Sequence, residues 1–142
     1  MILPDTFQTL PRLKHLYLSN NRIRMIQSDT FQNVTSLQTL SLAFNRITYI
    51  HSQAFKNLPH IQKLYLQKNK LSAILPSAFR MLLSIRTVIN VDGNPWQCDC
   101  MMAPFRLNTT NFQSLTDKII CSQPANVQGR KLTDVDPEDL IY

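Results

Sequence analysis

The chain has 142 residues, 44% of them hydrophobic, enough for one domain with a real core. No stretch reaches the roughly 18 apolar residues of a membrane-spanning helix. The net charge of +6 is uneven: residues 1–91 carry eleven Lys/Arg against two Asp, and residues 92–142 carry four Lys/Arg against seven Asp/Glu. With two glycines in the whole chain, a backbone cradle for phosphate is all but excluded, and no P-loop, dinucleotide or G-x-S-x-G pattern occurs.

In chain order, residues 1–12 (MILPDTFQTLPR) match only the second half of a unit that then recurs every 24 residues. LKHLYLSNNRIRMI starts at Leu13, LQTLSLAFNRITYI at Leu37 and IQKLYLQKNKLSAI at Ile61, each reading L-x-x-L-x-L-x-x-N-x-L/I. A short strand is predicted at each L-x-L centre, where Leu16 and Leu18, Leu40 and Leu42, and Leu64 and Leu66 share one face by the two-residue period. A unit of this length cannot bury its apolar face alone, so the units must stack, with the strands forming a parallel sheet.

The remaining apolar positions also form columns: Ile23, Ile47 and Leu71; Ile26, Ile50 and Ile74; Phe7, Phe31, Phe55 and Phe79; Leu10, Val34, Leu58 and Leu82. Asn21, Asn45 and Asn69 fall at the turn after each strand, where an amide that both donates and accepts satisfies backbone groups lacking a regular partner. A fourth unit starts near Ile85, and counting back from Asn94 puts Ile89 and Val91 at the strand positions. One residue is therefore inserted relative to the 24-residue frame, as a bulge or offset.

After the last unit comes NPWQCDC, Asn94 to Cys100, and later CSQPANVQG with Cys121. The repeats together with this segment resemble an extracellular leucine-rich repeat protein with a cysteine-rich C-terminal flank, most like variable lymphocyte receptors and Slit- or Toll-type ectodomains. The residues that carry the resemblance are Asn94, Pro95, Trp96, Cys98, Asp99, Cys100, Cys121, Pro124 and Gly129. The resemblance implies an α/β-type solenoid, a horseshoe with short parallel strands on its concave face, an irregular convex side and a small helical, disulfide-containing C-terminal cap. The organisation is then a partial repeat at 1–12, repeats over 13–91 (three full and a shifted fourth), and a cap over 92–142.

In that family the flank holds two disulfides, first cysteine to third and second to fourth. Carried over, Cys98 pairs with Cys121, while Tyr142 stands where the fourth cysteine would be. Cys100 is thereby left without its family partner and becomes a candidate for a disulfide-linked dimer. A cap is physically required because a solenoid end exposes sheet edge and open core. Trp96 is placed to cover the last apolar layer, with Met102, Phe105 and Leu107 on a short helix against the same end and Asp134, Asp136, Glu138 and Asp139 on the outer surface. Disulfide usage points to an extracellular setting, and since Met1-Ile-Leu-Pro-Asp is no signal peptide, the reading is of a fragment that lacks its leader and any anchor. Asn33 and Asn108 head N-x-S/T triplets and are glycosylation candidates.

Chemistry is sparse. Cys98 and Cys100 are spaced C-x-C with no histidine after His60, unlike a zinc site, so no metal or cofactor is expected and no catalytic residue is assigned. The concave face is the better candidate. Its outward positions include His15, Tyr17, Thr39, Ser41, Phe44, Lys63, Tyr65, Lys68 and Asn90, and the aromatics among them are not demanded by the fold. The expected partner is a protein or glycan, in an immune or signalling context by analogy with the family. Arg22, Arg46 and Lys70 form a basic column just after the Asn positions, which suits a sulfated glycan in a matrix or adhesion component; no specific nucleic acid is expected. A truncated product without independent activity is the remaining alternative.

Overall fold

The computed structural model describes residues 12–31, 34–56, 58–73, 88–99, 102, 119–136, 138 and 140. Four short strands, β1 (His15–Tyr17), β3 (Thr39–Ser41), β5 (Lys63–Tyr65) and β6 (Val88–Asn90), form one parallel sheet in that spatial order. Between them, β2 (Met25–Ile26) and β4 (Tyr49–Ile50) form a second, two-stranded parallel sheet on the flank of the solenoid.

Register follows the repeat. Leu16 lies opposite Leu40 and Leu40 opposite Leu64, each 24 residues on; Leu64 lies opposite Ile89, 25 residues on. The inserted residue is therefore absorbed before β6, and Ile89 still points into the core. Keeping the period-2 alternation in phase is what the sheet requires, because a one-residue slip would turn the buried set outward.

Leu40, Leu42, Leu64, Leu66 and Val91 are fully buried, as are Ile47 and Leu71 in the column beyond the turn. On the convex side Phe31 and Phe55 stack nearly parallel, ring centroids 6.4 Å apart. The backbone there runs through tight turns that repeat between units: Thr30 N–H to Gln27 O and Ala54 N–H to His51 O, then Val34 N–H to Phe31 O and Leu58 N–H to Phe55 O. Both rings are buried beneath these turns. Phe7, Phe79, Leu10, Leu82 and Ile74 lie outside the described residues.

The cap opens with β7 (Trp96–Gln97), which pairs in parallel with β8 (Cys121–Gln123), and Cys98 is disulfide-bonded to Cys121. Two 3-10 turns, Ala125–Val127 and Leu132–Asp134, follow. Met102, Ile119, Val127, Leu132, Val135 and Leu140 are buried in one continuous cluster with the repeats. Asp134, Asp136 and Glu138 are exposed. The described part of the cap is thus built from short strands and 3-10 turns; Phe105, Leu107 and Asp139, with Cys100, Asn33, Asn108 and Tyr142, lie outside the described residues. No helix of the described residues is long and apolar enough to cross a membrane.

Candidate functional site on the concave sheet

Parallel pairing arranges the outward residues of the main sheet in rows that cross the repeats. One row runs His15, Thr39, Lys63, Val88, and the next runs Tyr17, Ser41, Tyr65, Asn90. Backbone hydrogen bonds carry the rows past the strand ends: Leu18 N–H to Ser41 O and Leu42 N–H to Tyr65 O (both 2.8 Å), then Phe44 N–H to Gln67 O and Lys68 N–H to Asp92 O (3.0 and 2.9 Å). A third row therefore runs Ser19, Ala43, Gln67, Asp92, and a fourth runs Asn20, Phe44, Lys68, Gly93.

The fourth row marks the turn itself. Asn20, Phe44, Lys68 and Gly93 all have φ between 56° and 69°. Asn and Gly adopt this left-handed conformation readily, whereas a bulky residue there costs roughly 1–2 kcal/mol. Phe44 occupies it with half of its surface exposed.

Below the turn the asparagines form a buried ladder. Asn45 donates from Nδ2 to Leu18 O, Leu42 O and Ala43 O, and its Oδ1 accepts from Ile23 N–H. Asn69 repeats the pattern with Leu42 O, Leu66 O and Ile47 N–H. Asn94 closes it, donating to Leu66 O and Val91 O and accepting from both Asn69 N–H and Leu71 N–H. Asn21 is exposed and bonds within its own turn, to Leu18 O and Ser19 O. Asn45, Asn69 and Asn94 thus each tie their own turn to the preceding one, which fixes the rows above them.

Exposure divides the candidate contacts. Tyr17 is 67% exposed, Phe44 50% and Val88 53%. His15, Lys63 and Lys68 are exposed, and Tyr65 and Asn90 are half-buried. Thr39 and Ser41, placed among the outward contacts by alternation, are 7% and 6% exposed. The correction has a steric cause. Both are short side chains on β3, between the larger His15 and Tyr17 of β1 and Lys63 and Tyr65 of β5. Ser41 Oγ also lies 2.6 Å from Ser19 Oγ in a hydrogen bond. Thr39, Ser41 and the buried Ala43 therefore form a floor, and the neighbouring strands supply the accessible groups. Val88 joins the exposed set from β6; its signal in the sequence was the shifted frame that aligns it with Lys63. Gln67 Oε1 in the third row is buried with no hydrogen-bond partner.

Arg22, Arg46 and Lys70 are exposed but sit beyond the Asn turn, off the concave sheet. At the end of the solenoid Trp96 is buried, and its Nε1–H donates to Val91 O at 3.1 Å. Of the histidines, His51 is half-buried and accepts at Nδ1 from Gln53 N–H, while His60 is exposed on the convex side. Among the described residues no group of three His, Cys, Asp or Glu side chains comes together.

The family model for leucine rich repeats matches residues 1–47 and 35–95. The chain is a leucine-rich repeat protein. Among solved structures this leucine-rich repeat chain is similar to human 5T4 (Wnt-activated inhibitory factor 1, trophoblast glycoprotein), with a TM-score of 0.83 and 26% identity over 96% of this chain and 50% of that one. It is also similar to a chain of the mouse RP105/MD-1 complex, with a TM-score of 0.75 and 30% identity over 95% of this chain and 23% of that one. The chain spans half the length of the first and about a quarter of the second. No curated protein matches it.

Proposed function

We propose that this leucine-rich repeat chain is an extracellular recognition module that binds a protein ligand on its concave sheet. The observation that carries the proposal is the exposed apolar set on the buried floor of Thr39, Ser41 and Ala43: Tyr17, Phe44 and Val88, on the same face as the half-buried Tyr65, with Lys63 next to Val88 and Lys68 next to Phe44. Aromatic groups of this kind give large contact area at low entropic cost and dominate binding hot spots. Phe44 adds weight, since the turn would be relaxed with Asn or Gly, yet holds a half-exposed ring at φ 56°. Leucine-rich repeat proteins are generally recognition modules, and the two similar structures, one a trophoblast glycoprotein and one a chain of the RP105/MD-1 complex, support a receptor or signalling setting. The Cys98–Cys121 bridge supports an oxidising compartment.

The test is cell-surface binding of the labelled chain, read by flow cytometry over a panel of cell types. The chain is expected to label at least one type. Tyr17→Ala/Phe44→Ala/Tyr65→Ala is expected to abolish labelling, while the convex variant Gln53→Ala/Lys56→Ala/His60→Ala retains it. Retained labelling by the concave variant, or no labelling by the unaltered chain, overturns the assignment. Cys100, the thiol left once Cys98 and Cys121 pair, is proposed to link two chains, and a purely monomeric species on a non-reducing gel counts against that link.

A further inference from the structure

Beyond each Asn turn the chain leaves in an extended stretch: Arg22-Ile23-Arg24, Arg46-Ile47-Thr48 and Lys70-Leu71-Ser72. In all three the middle residue is buried and both flanking residues are exposed. Backbone hydrogen bonds lock the stretches side by side: Arg46 N–H to Ile23 O at 2.9 Å, Thr48 N–H to Arg24 O at 2.9 Å, and Lys70 N–H to Ile47 O at 3.0 Å. The outward residues therefore form two parallel rows along the solenoid, Arg22–Arg46–Lys70 and Arg24–Thr48–Ser72, with neighbours in a row about 5 Å apart. The six positions hold four cations, two hydroxyls and no carboxylate.

The fold does not require these charges. The buried Ile23, Ile47 and Leu71 carry the packing, and the next stretch along, which continues the same ladder through Gln97 N–H to Ser72 O at 2.8 Å, fills the corresponding positions with Pro95 and Gln97. Like charges carried on neighbouring backbone positions oppose one another, and salt screens them. The row is thus unfavourable for the isolated chain and becomes favourable when an extended anion lies along it. Tyr49 and Met25, 47% and 39% exposed and paired across β2 and β4, flank the strip with apolar surface suited to the C–H face of a sugar ring. The disulfide favours an oxidising, extracellular setting, where sulfated polysaccharide rather than nucleic acid is the abundant linear polyanion.

We propose that this flank strip binds a linear sulfated glycan, as a site separate from the concave sheet and independent of any ligand there. The probe is heparin, immobilised, with the full chain applied over a range of NaCl. Binding is expected to fall steeply and linearly on a log–log plot of affinity against salt. Arg22→Glu/Arg46→Glu/Lys70→Glu is expected to weaken it by about a hundredfold. Lys56→Glu/Arg130→Glu/Lys131→Glu makes the same change in net charge at exposed positions away from the strip and is expected to weaken it by less than about tenfold. Equal losses in the two variants would show that overall charge alone is responsible and would overturn the site. The neutral variant Arg22→Gln/Arg46→Gln/Lys70→Gln guards against misfolding: relief of repulsion should keep or raise its Tm at low salt while heparin binding is lost. Single-stranded DNA bound as tightly as heparin, or heparin binding lost instead in Lys14→Gln/Lys63→Gln/Lys68→Gln on the concave face, would also overturn the proposal.

Discussion

Asn45 shows how much a single side chain does in this fold. Its amide serves three carbonyls, and its Oδ1 takes a fourth backbone group. Asn45→Ala strands those groups in the interior, and the expected loss is about 2–4 kcal/mol in denaturant unfolding. Asn45→Asp should be no better, because a carboxylate has no donor for the carbonyls and would be buried as a charge. Asn21, exposed and bonded only within its own turn, should tolerate alanine at a cost below about 1 kcal/mol. Equal losses at the two positions would mean that bonds between repeats do not set the stability. Gly93 makes a different point. A Cβ there would lie 2.7 Å from Lys68 Cδ, at φ +69°. The lysine stem can swing aside, so Gly93→Ala should cost only the backbone term of about 1 kcal/mol, and adding Lys68→Ala should recover little of it. The Asn column was legible in the sequence because the amide recurs in step with the repeat. The left-handed row beside it was not, because Asn, Phe, Lys and Gly share no chemistry, only a backbone angle.

At the scale of elements, the concave strands were readable because a two-residue alternation within a 24-residue period leaves one register. Exposure within them was not, since it depends on what stands beside each residue in the neighbouring strands: Ser41 faces outward and is still covered. β2 and β4 were missed for a similar reason. Two residues are too short for any alternation, and only stacking makes them strands. The cap owes its shape to the Cys98–Cys121 bridge, 23 residues apart in sequence, and to Trp96. Closing a loop of that length is worth about 3 kcal/mol in the chain-entropy account, so Cys98→Ala/Cys121→Ala should lose about that amount in denaturant unfolding. A loss under about 1 kcal/mol would mean that the buried Val127, Leu132 and Leu140 hold the cap unaided.

For the molecule as a whole, the question is whether the repeats and the cap unfold together. Stability in a solenoid is a sum over units and the interfaces between neighbours, so a weak interface lets one end melt alone. The interface here is well tied. Asn94 accepts from Asn69 and Leu71, Gln97 N–H bonds to Ser72 O, and one buried cluster runs from Ile23 to Leu140. A single transition is therefore expected, and the chain supplies its own reporters. Trp96 is the only tryptophan and sits in the cap, so its fluorescence follows that end, while far-UV circular dichroism follows the whole chain, repeats included. The two curves should coincide on heating and in denaturant. Leu64→Ala, in the middle of the sheet and fully buried, should lower stability by about 3 kcal/mol and move the tryptophan curve as far as the dichroism curve. A tryptophan transition that stays in place while the dichroism shifts would show that the cap stands on its own disulfide. The Asn94 ladder would then be a joint between two cooperative units, and the unit that carries the concave floor would end at β6.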